Sequence, residues 1–182
     1  MMKVGISMFN ILQSTQLSSN TFDFWLEAPR IATHAQAGQF VILRIDEKGE
    51  RIPLTIAETN PQAGSIRIIF QVIGKTTAAL SQLKTSDSLL DITGPLGMPT
   101  EVKQYGTVMV VGGGVGIAAI YPIIKALKEA GNRVITILGA RTAELVLLQE
   151  ECRCYSDALI ITTDDGSLGK KGLVTEAMEE VI

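Results

Sequence analysis

Histidine occurs once in the 182 residues, as His34, and cysteine twice, as Cys152 and Cys154 with Arg153 between them. A single histidine without a partner offers no general-base pair and reads as a loop residue. Two cysteines that close together suit neither a structural disulfide nor a zinc or iron–sulfur ligand set. They read as ordinary thiols near a helix end, and no metal site is expected. Charged residues make up only 19% of the chain, and the net charge is −3 with no basic cluster. This balance argues against nucleic acid and against an anionic membrane surface. The N-terminus carries one lysine, Lys3, and no long apolar core; no signal peptide is read, and a cytoplasmic setting is expected. The charge-free run from Gly106 to Ile124 has the length of a membrane span, but glycines crowd it and Pro122 interrupts it. Strand, turn and helix explain that run better than a spanning helix.

The 46% of hydrophobic residues supply a core for one domain or two small ones. From Phe9 to Thr93 the pattern is one of short β-like runs: Thr21 to Leu26, Gln39 to Ile45, Ile52 to Ala57, Ser65 to Ile73 and Ser88 to Thr93. They are rich in β-branched and aromatic residues and broken at Pro29, Gly38, the Glu47-Lys48-Gly49-Glu50 tip and Asn60-Pro61. This spacing predicts a small closed antiparallel barrel. One helix is predicted over Thr76 to Leu83, opened by Gly74-Lys75-Thr76-Thr77, where the threonines cap the first turn. Its free amides and Lys75 suit a phosphate equally well, so a plain N-cap and a phosphate site are both open.

The cluster Gly94-Pro95-Leu96-Gly97-Met98-Pro99 marks a change of pattern and a domain boundary. It divides the chain into residues 1–97 and 98–182. Beyond it, strands are predicted at Thr107 to Val111, Arg133 to Leu138 and Ala158 to Thr163. Helices are predicted at Val115 to Ala130, Thr142 to Cys152 and Thr175 to Ile182. Alternating strands and helices imply a parallel sheet with right-handed crossovers. At the first strand-to-helix junction stands Gly112-Gly113-Gly114-Val115-Gly116. Glycines there let the backbone turn sharply, approach a diphosphate and aim a helix N-terminus at it. Gly114, Gly116 and Ala119 fit the dinucleotide spacing, but Gly139, Ala140 and Arg141 stand where an acidic residue is expected. A turn that only packs a helix against a sheet is the competing reading.

A β-barrel followed by an α/β nucleotide domain resembles the ferredoxin-NADP reductase superfamily. Within it the chain is similar to the flavin subunits of dihydroorotate dehydrogenase, sulfide dehydrogenase and NADH-dependent ferredoxin-NADP oxidoreductase. The marks are Gly38-Gln39-Phe40-Val41, Arg51-Ile52-Pro53-Leu54-Thr55-Ile56, Gly74-Lys75-Thr76-Thr77, Gly94-Pro95-Leu96-Gly97, the Gly112 to Gly116 turn, and Thr163-Asp164-Asp165-Gly166-Ser167. The resemblance implies an FAD-binding barrel using Arg51, Pro53, Leu54 and Thr55 together with Gly74, Lys75, Thr76 and Thr77. Thr55 would lie near the reactive nitrogen of the flavin, Leu54 would pack on its ring, and Arg51 would neutralise the diphosphate. The superfamily has Arg three positions before the Ser or Thr and an aromatic just before it. Here Ile52 and Leu54 hold those places, and the Arg stands one step earlier. Alternation nevertheless sets Arg51, Pro53 and Thr55 on one face of a strand.

The resemblance also assigns Gly112, Gly113, Gly114, Val115 and Gly116 to NAD(P). Asp164 and Asp165 after the third strand favour NAD, since carboxylates accept from a ribose 2′-hydroxyl and repel a 2′-phosphate, whereas Arg141 is a candidate contact for NADP. The implied activity is hydride transfer between NAD(P)H and FAD, with electrons passed to a catalytic oxidoreductase subunit. A non-catalytic binding or assembly module that keeps the fold is the alternative. Family members continue with a further strand and a cysteine-rich tail for a [2Fe-2S] cluster. The sequence is therefore expected to be a truncated piece, or to have the edge of its sheet supplied by a partner.

Overall fold

In the computed structural model, which describes residues 8–181, the chain divides into two units, Met1–Pro99 and Thr100–Ile182. The first contains β1 (Phe9–Ser18), β2 (Thr21–Glu27), α1 (Pro29–His34), β3 (Phe40–Arg44), β4 (Ile52–Asn60), β5 (Ser65–Gln71), α2 (Lys75–Leu80), β6 (Ser88–Leu89) and β7 (Asp91–Leu96). Its strands form one antiparallel sheet in the order β6-β1-β2-β5-β4-β3-β7. The two ends of that order are consecutive in sequence. Only Leu90 separates β6 from β7, and its amide donates to Ile45 O at 3.1 Å. The sheet therefore curls into a nearly closed barrel and leaves little edge to pair with another chain.

Period-two alternation fills the barrel. Phe24 and Leu26 on β2, Val41 and Leu43 on β3, and Ile66, Ile68 and Phe70 on β5 are buried in one cluster. The Phe24 and Phe70 rings meet edge to face, 5.2 Å between centroids. The face turned the other way carries a charged group: Arg67 donates to both oxygens of Asp23 at 2.8–3.1 Å and to Glu58 at 3.3 Å.

Two elements of this unit depart from the sequence expectation. Pro29 opens α1 instead of breaking the chain, because a proline at the first helical position gives up an amide that has no partner there anyway. His34 is consequently the last residue of that helix and not a loop residue, with Nδ1 2.7 Å from Arg30 O. β1 was not expected as a strand; its Gln13, Ser14, Thr15 and Gln16 lack an apolar alternation, and most of its residues are exposed.

The second unit contains β8 (Thr107–Gly113), α3 (Gly116–Glu129), β9 (Arg133–Ala140), a 3-10 turn (Ala143–Leu145), α4 (Gln149–Cys154), β10 (Ala158–Thr163), β11 (Lys170–Lys171) and α5 (Val174–Glu179). The strands are all parallel, in the order β11-β10-β9-β8. The two-residue β11 adds to the three strands expected, and β8 is an edge strand among the described residues. Helices cover both faces. A Cβ on Gly112 would meet Ile120 of α3, and one on the next row at Gly139 would meet Val174 of α5, so α3 and α5 lie on opposite sides of the sheet. The helix expected from Thr142 to Cys152 is broken: after the 3-10 turn the chain extends at Val146, and Leu148 takes φ 52°. No described helix is long and apolar enough to cross a membrane.

Candidate functional site

The outer face of β4, β3 and β7 gathers Arg51, Pro53 and Thr55 of the residues that the barrel's motifs pointed to. β4 begins beside β3 with Leu43 opposite Ile52, Ile42 opposite Pro53 and Phe40 opposite Thr55. Val41 and Leu43 are fully buried, and Ile52 and Leu54 pack against the same core. By alternation Arg51, Pro53 and Thr55 face outward with Phe40, Ile42 and Arg44. β7 extends the array, with Asp91 opposite Arg44 and Thr93 opposite Ile42. One end is thus charged, with Arg51, Arg44 and Asp91, and the middle is formed by Pro53, Ile42 and Thr93. Phe40 and Thr55 follow, and the Thr55 hydroxyl makes no hydrogen bond among the described residues.

Three motifs that are far apart in sequence meet at Gln39. Its Nε2 donates to Gly97 O at 2.8 Å, its Oε1 accepts from the Gln36 amide at 2.9 Å, and its carbonyl accepts from the Ile56 amide at 3.1 Å. Phe40 lies so close to Gly97 that a Cβ there would stand 2.9 Å from its ring. The pairing of β4 also changes at Ile56. Residues 52–55 pair only with β3, and β5 is met from Ile56 onward.

The segment Gly74 to Thr77 is tied to the charged end. Gly74 is the extended N-cap of α2, and Thr77 Oγ1 accepts from the amides of Ile73 and Gly74, both at 3.1 Å. Thr76 Oγ1 donates to Glu50 Oε2 at 2.9 Å, which brings the start of α2 to the β3–β4 tip. Lys75 is exposed. Arg51 is 53% exposed and donates to Asp91 Oδ2 at 2.6 Å. Arg44 is turned onto the tip, donating to the carbonyls of Glu47 and Gly49. The array thus offers three cations, a surface for a flat ring and a free hydroxyl, and those chemistries fit a molecule with a diphosphate and a planar ring. Leu54 does not join it, since it faces the core. Arg44, Glu50 and Asp91 were missed from the sequence; for Arg44 the signal was its place two steps beyond Ile42 on a strand.

In the second unit the glycine turn joins β8 to α3. Gly114 has φ +54°, where an L side chain is strained, and its amide donates to Gly139 O at 2.9 Å. Ile117 and Ala118 donate back to Gly114 and Val115. The Val115 and Gly116 amides are left without partners among the described residues, and open space surrounds Gly114 and Gly116. The ends of the strands are stitched in order: the Asp164 amide donates to Ala140 O at 3.1 Å and the Asp165 amide to Arg141 O at 3.3 Å. Arg141, exposed, therefore stands one strand from the turn and the aspartates two strands away.

The two aspartates are not alike. Asp165 Oδ1 accepts from the Ser167 hydroxyl at 2.6 Å and the Ser167 amide at 2.9 Å, and these bonds hold its carboxyl below the usual carboxylate range. Ser167 Oγ in turn accepts from the Ala143 amide. Asp165 shapes the loop, while Asp164 is exposed with no side-chain bond among the described residues. Cys152 is buried, and burial pushes its thiol up to about 12; a thiol so raised is a poor nucleophile and metal ligand. No group of three or more His, Cys, Asp and Glu residues is placed to hold a metal among the described residues.

An antiparallel barrel followed by a parallel α/β unit, with these two faces, defines a ferredoxin-reductase-like flavoprotein fold. The chain belongs to the oxidoreductase FAD-binding domain family, whose model matches residues 8–100. It is 50% identical over 177 residues to a dihydroorotate dehydrogenase B (NAD(+)) electron transfer subunit homolog from Thermotoga maritima, covering 97% of this chain and 62% of that protein. Identity to the electron transfer subunit of dihydroorotate dehydrogenase B from Streptococcus mutans is 30% over 176 residues, 94% of this chain and 67% of that one. Among solved structures, a chain of an NADH-dependent reduced ferredoxin-NADP oxidoreductase superposes with a TM-score of 0.92 at 48% identity, covering 98% of this chain and 64% of that chain. The chain thus spans about two thirds of the length of these relatives.

Proposed function

We propose that the chain is the cofactor-binding part of an electron-transfer flavoprotein subunit, with FAD on the barrel and NAD on the α/β unit. The observation that carries the reading is the outward array of Arg51, Pro53 and Thr55, joined by the Glu50–Thr76 bond to the Lys75–Thr77 turn, in a chain of the FAD-binding family. Arg51, Lys75 and Thr76 serve the diphosphate, Pro53 and Phe40 back the ring, and Thr55 offers its hydroxyl to the ring's polar edge. Leu54 supports the strand from inside. FAD held there would supply two-electron and one-electron redox chemistry; the chain's own residues align the cofactors and tune their surroundings.

The Gly112–Gly116 turn serves the nicotinamide dinucleotide's diphosphate through the Val115 and Gly116 amides. Asp164 is the ribose reader, Asp165 builds the loop that presents it, and Arg141 is the residue through which NADP would compete. Residues 1–97 and 98–182 are the flavin and nicotinamide domains of this reading. A catalytic oxidoreductase subunit takes the electrons. The relatives' names as electron transfer subunits support the partner, and a cytoplasmic setting is part of the proposal.

The test is anaerobic. The purified chain, incubated with FAD and desalted, is expected to keep flavin absorbance and to bleach on NADH addition, with NADPH slower. Retained flavin without bleaching by either nucleotide would favour the non-catalytic module. A colourless protein after FAD incubation would end the flavin reading.

A further inference from the structure

We infer that Glu50 and Asp91 set the affinity for FAD by competing with its diphosphate for Thr76 and Arg51; the inference rests on the flavin reading above. Both carboxylates hold a group assigned to the diphosphate, and each bond is direct: Glu50 Oε2 accepts from Thr76 Oγ1 at 2.9 Å and Asp91 Oδ2 from Arg51 Nη1 at 2.6 Å. Neither carboxylate has another hydrogen-bond donor among the described residues. Their positions follow from the fold. Asp91 stands opposite Arg44 on β7, in the row that β4 enters at Arg51, and Glu50 ends the β3–β4 tip that faces the first turn of α2.

The charges make the competition unequal to a simple brace. Arg44, Arg51 and Lys75, with Lys48 on the tip, are cations of this end, and Glu50 and Asp91 are the anions set directly against its phosphate-binding groups. Arg44 is engaged with the tip carbonyls, so Asp91 faces the guanidinium that is best placed to leave it. A carboxylate that only positioned Arg51 would help binding, but an exposed ion pair fixes a long side chain weakly. A phosphate oxygen takes the same guanidinium edge as a carboxylate oxygen, and a fixed negative charge beside an incoming diphosphate repels it. Competition therefore outweighs positioning, and affinity is held below what the cations alone would give.

The experiment is a fluorescence titration of apoprotein with FAD for the parent, Asp91→Asn, Glu50→Gln and the same two changes in Arg51→Gln and Thr76→Val backgrounds. Asp91→Asn is expected to tighten FAD binding by roughly three- to tenfold and Glu50→Gln by roughly two- to fivefold. Each gain is expected to shrink to less than about twofold in the background that lacks its partner. Asp91→Ala guards against an unforeseen folding defect in the amide variant and is expected to tighten binding too. Unchanged or weaker binding in the neutral variants, or equal tightening in both backgrounds, overturns the inference while leaving the flavin reading intact. A parent protein that binds no FAD overturns both.

Discussion

Asn132 accepts the amide of Tyr105 at 2.6 Å, across 27 positions of sequence, and so fixes where the chain enters the parallel sheet. The same amide side chain accepts from the Gly106 amide at 3.1 Å and donates to the carbonyls of Lys103 at 2.9 Å and Leu127 at 2.8 Å. Asn132 is 2% exposed, and its side chain serves the Tyr105 and Gly106 amides and Lys103 O, while Leu127 O also accepts from the Asn132 backbone amide at 3.3 Å. Asn132→Ala removes the side-chain partner of those three groups and is expected to cost about 1–3 kcal/mol. Asn132→Asp should rescue little, because a carboxylate accepts but cannot donate to the two carbonyls. Urea midpoints of the two variants against the parent measure this.

Asp157 gives a pH prediction. Lys128 donates to it at 2.7 Å and the Val134 amide at 2.8 Å, and these bonds, the lysine's first, lower its carboxyl from the ordinary value. A depressed folded pKa adds stability that is present above the unfolded value, near 4, and is lost as pH falls through the folded one. The urea midpoints of the parent and Asp157→Asn are expected to differ at pH 7 and to converge as pH falls through the lowered folded value. A gap that persists in acid would show that the amide variant breaks something other than the charge.

Two glycines at the same end of the sheet should respond differently to alanine. A Cβ on Gly139 would collide with Val174 and stand 3.2 Å from the buried Thr162 Oγ1, so Gly139→Ala is expected to cost roughly 1–3 kcal/mol by overpacking. Gly114 has open space around it but a φ of +54°, so Gly114→Ala is expected to cost about 1–2 kcal/mol in backbone strain. Only Gly114→Ala should also weaken NADH binding relative to FAD binding, because it shifts the Val115 and Gly116 amides. Paired denaturation and nucleotide titrations separate the two.

The nucleotide preference is expected to rest on Asp164 more than on Asp165. Asp164→Asn should reduce the preference for NADH over NADPH by roughly tenfold, and Arg141→Ala should lower NADPH binding alone. Asp165→Asn should act chiefly on the 163–172 loop, visible as faster amide exchange at Ser167, whose amide it accepts. Steady-state KM values with an artificial electron acceptor provide the comparison.

What was legible in the sequence was the part carried by periodicity. Alternation from Phe24 to Leu26, Val41 to Leu43 and Ile66 to Phe70 identifies the barrel and its core side, and it places Arg51, Pro53 and Thr55 together. The same alternation turns Leu54 inward, against the role that the family resemblance implied for it. The helix expected from Thr142 to Cys152 is interrupted where Val146 is extended and Leu148 takes a left-handed φ of 52°. Leu147 and Leu148 are both buried, a pattern that a helix also shows, so periodicity does not mark the break. Glu50, Asp91 and Arg44 were out of reach because their meetings depend on register between strands, which no single segment states. The four-way bonding of Asn132 is of the same kind.

The change of partner within β4 has a consequence of its own. Between Ile52 and Thr55 the strand is paired on its β3 side alone, and Pro53, which has no N–H to donate, sits in that stretch. A proline is tolerated where a ladder is one-sided, and the main-chain groups that alternate with those turned to β3 face whatever lies alongside. A flat heterocycle held by such groups is recognised by atoms every residue possesses. Side chains around it can drift without erasing that recognition, whereas an insertion that slipped the strand by one residue would destroy it at once.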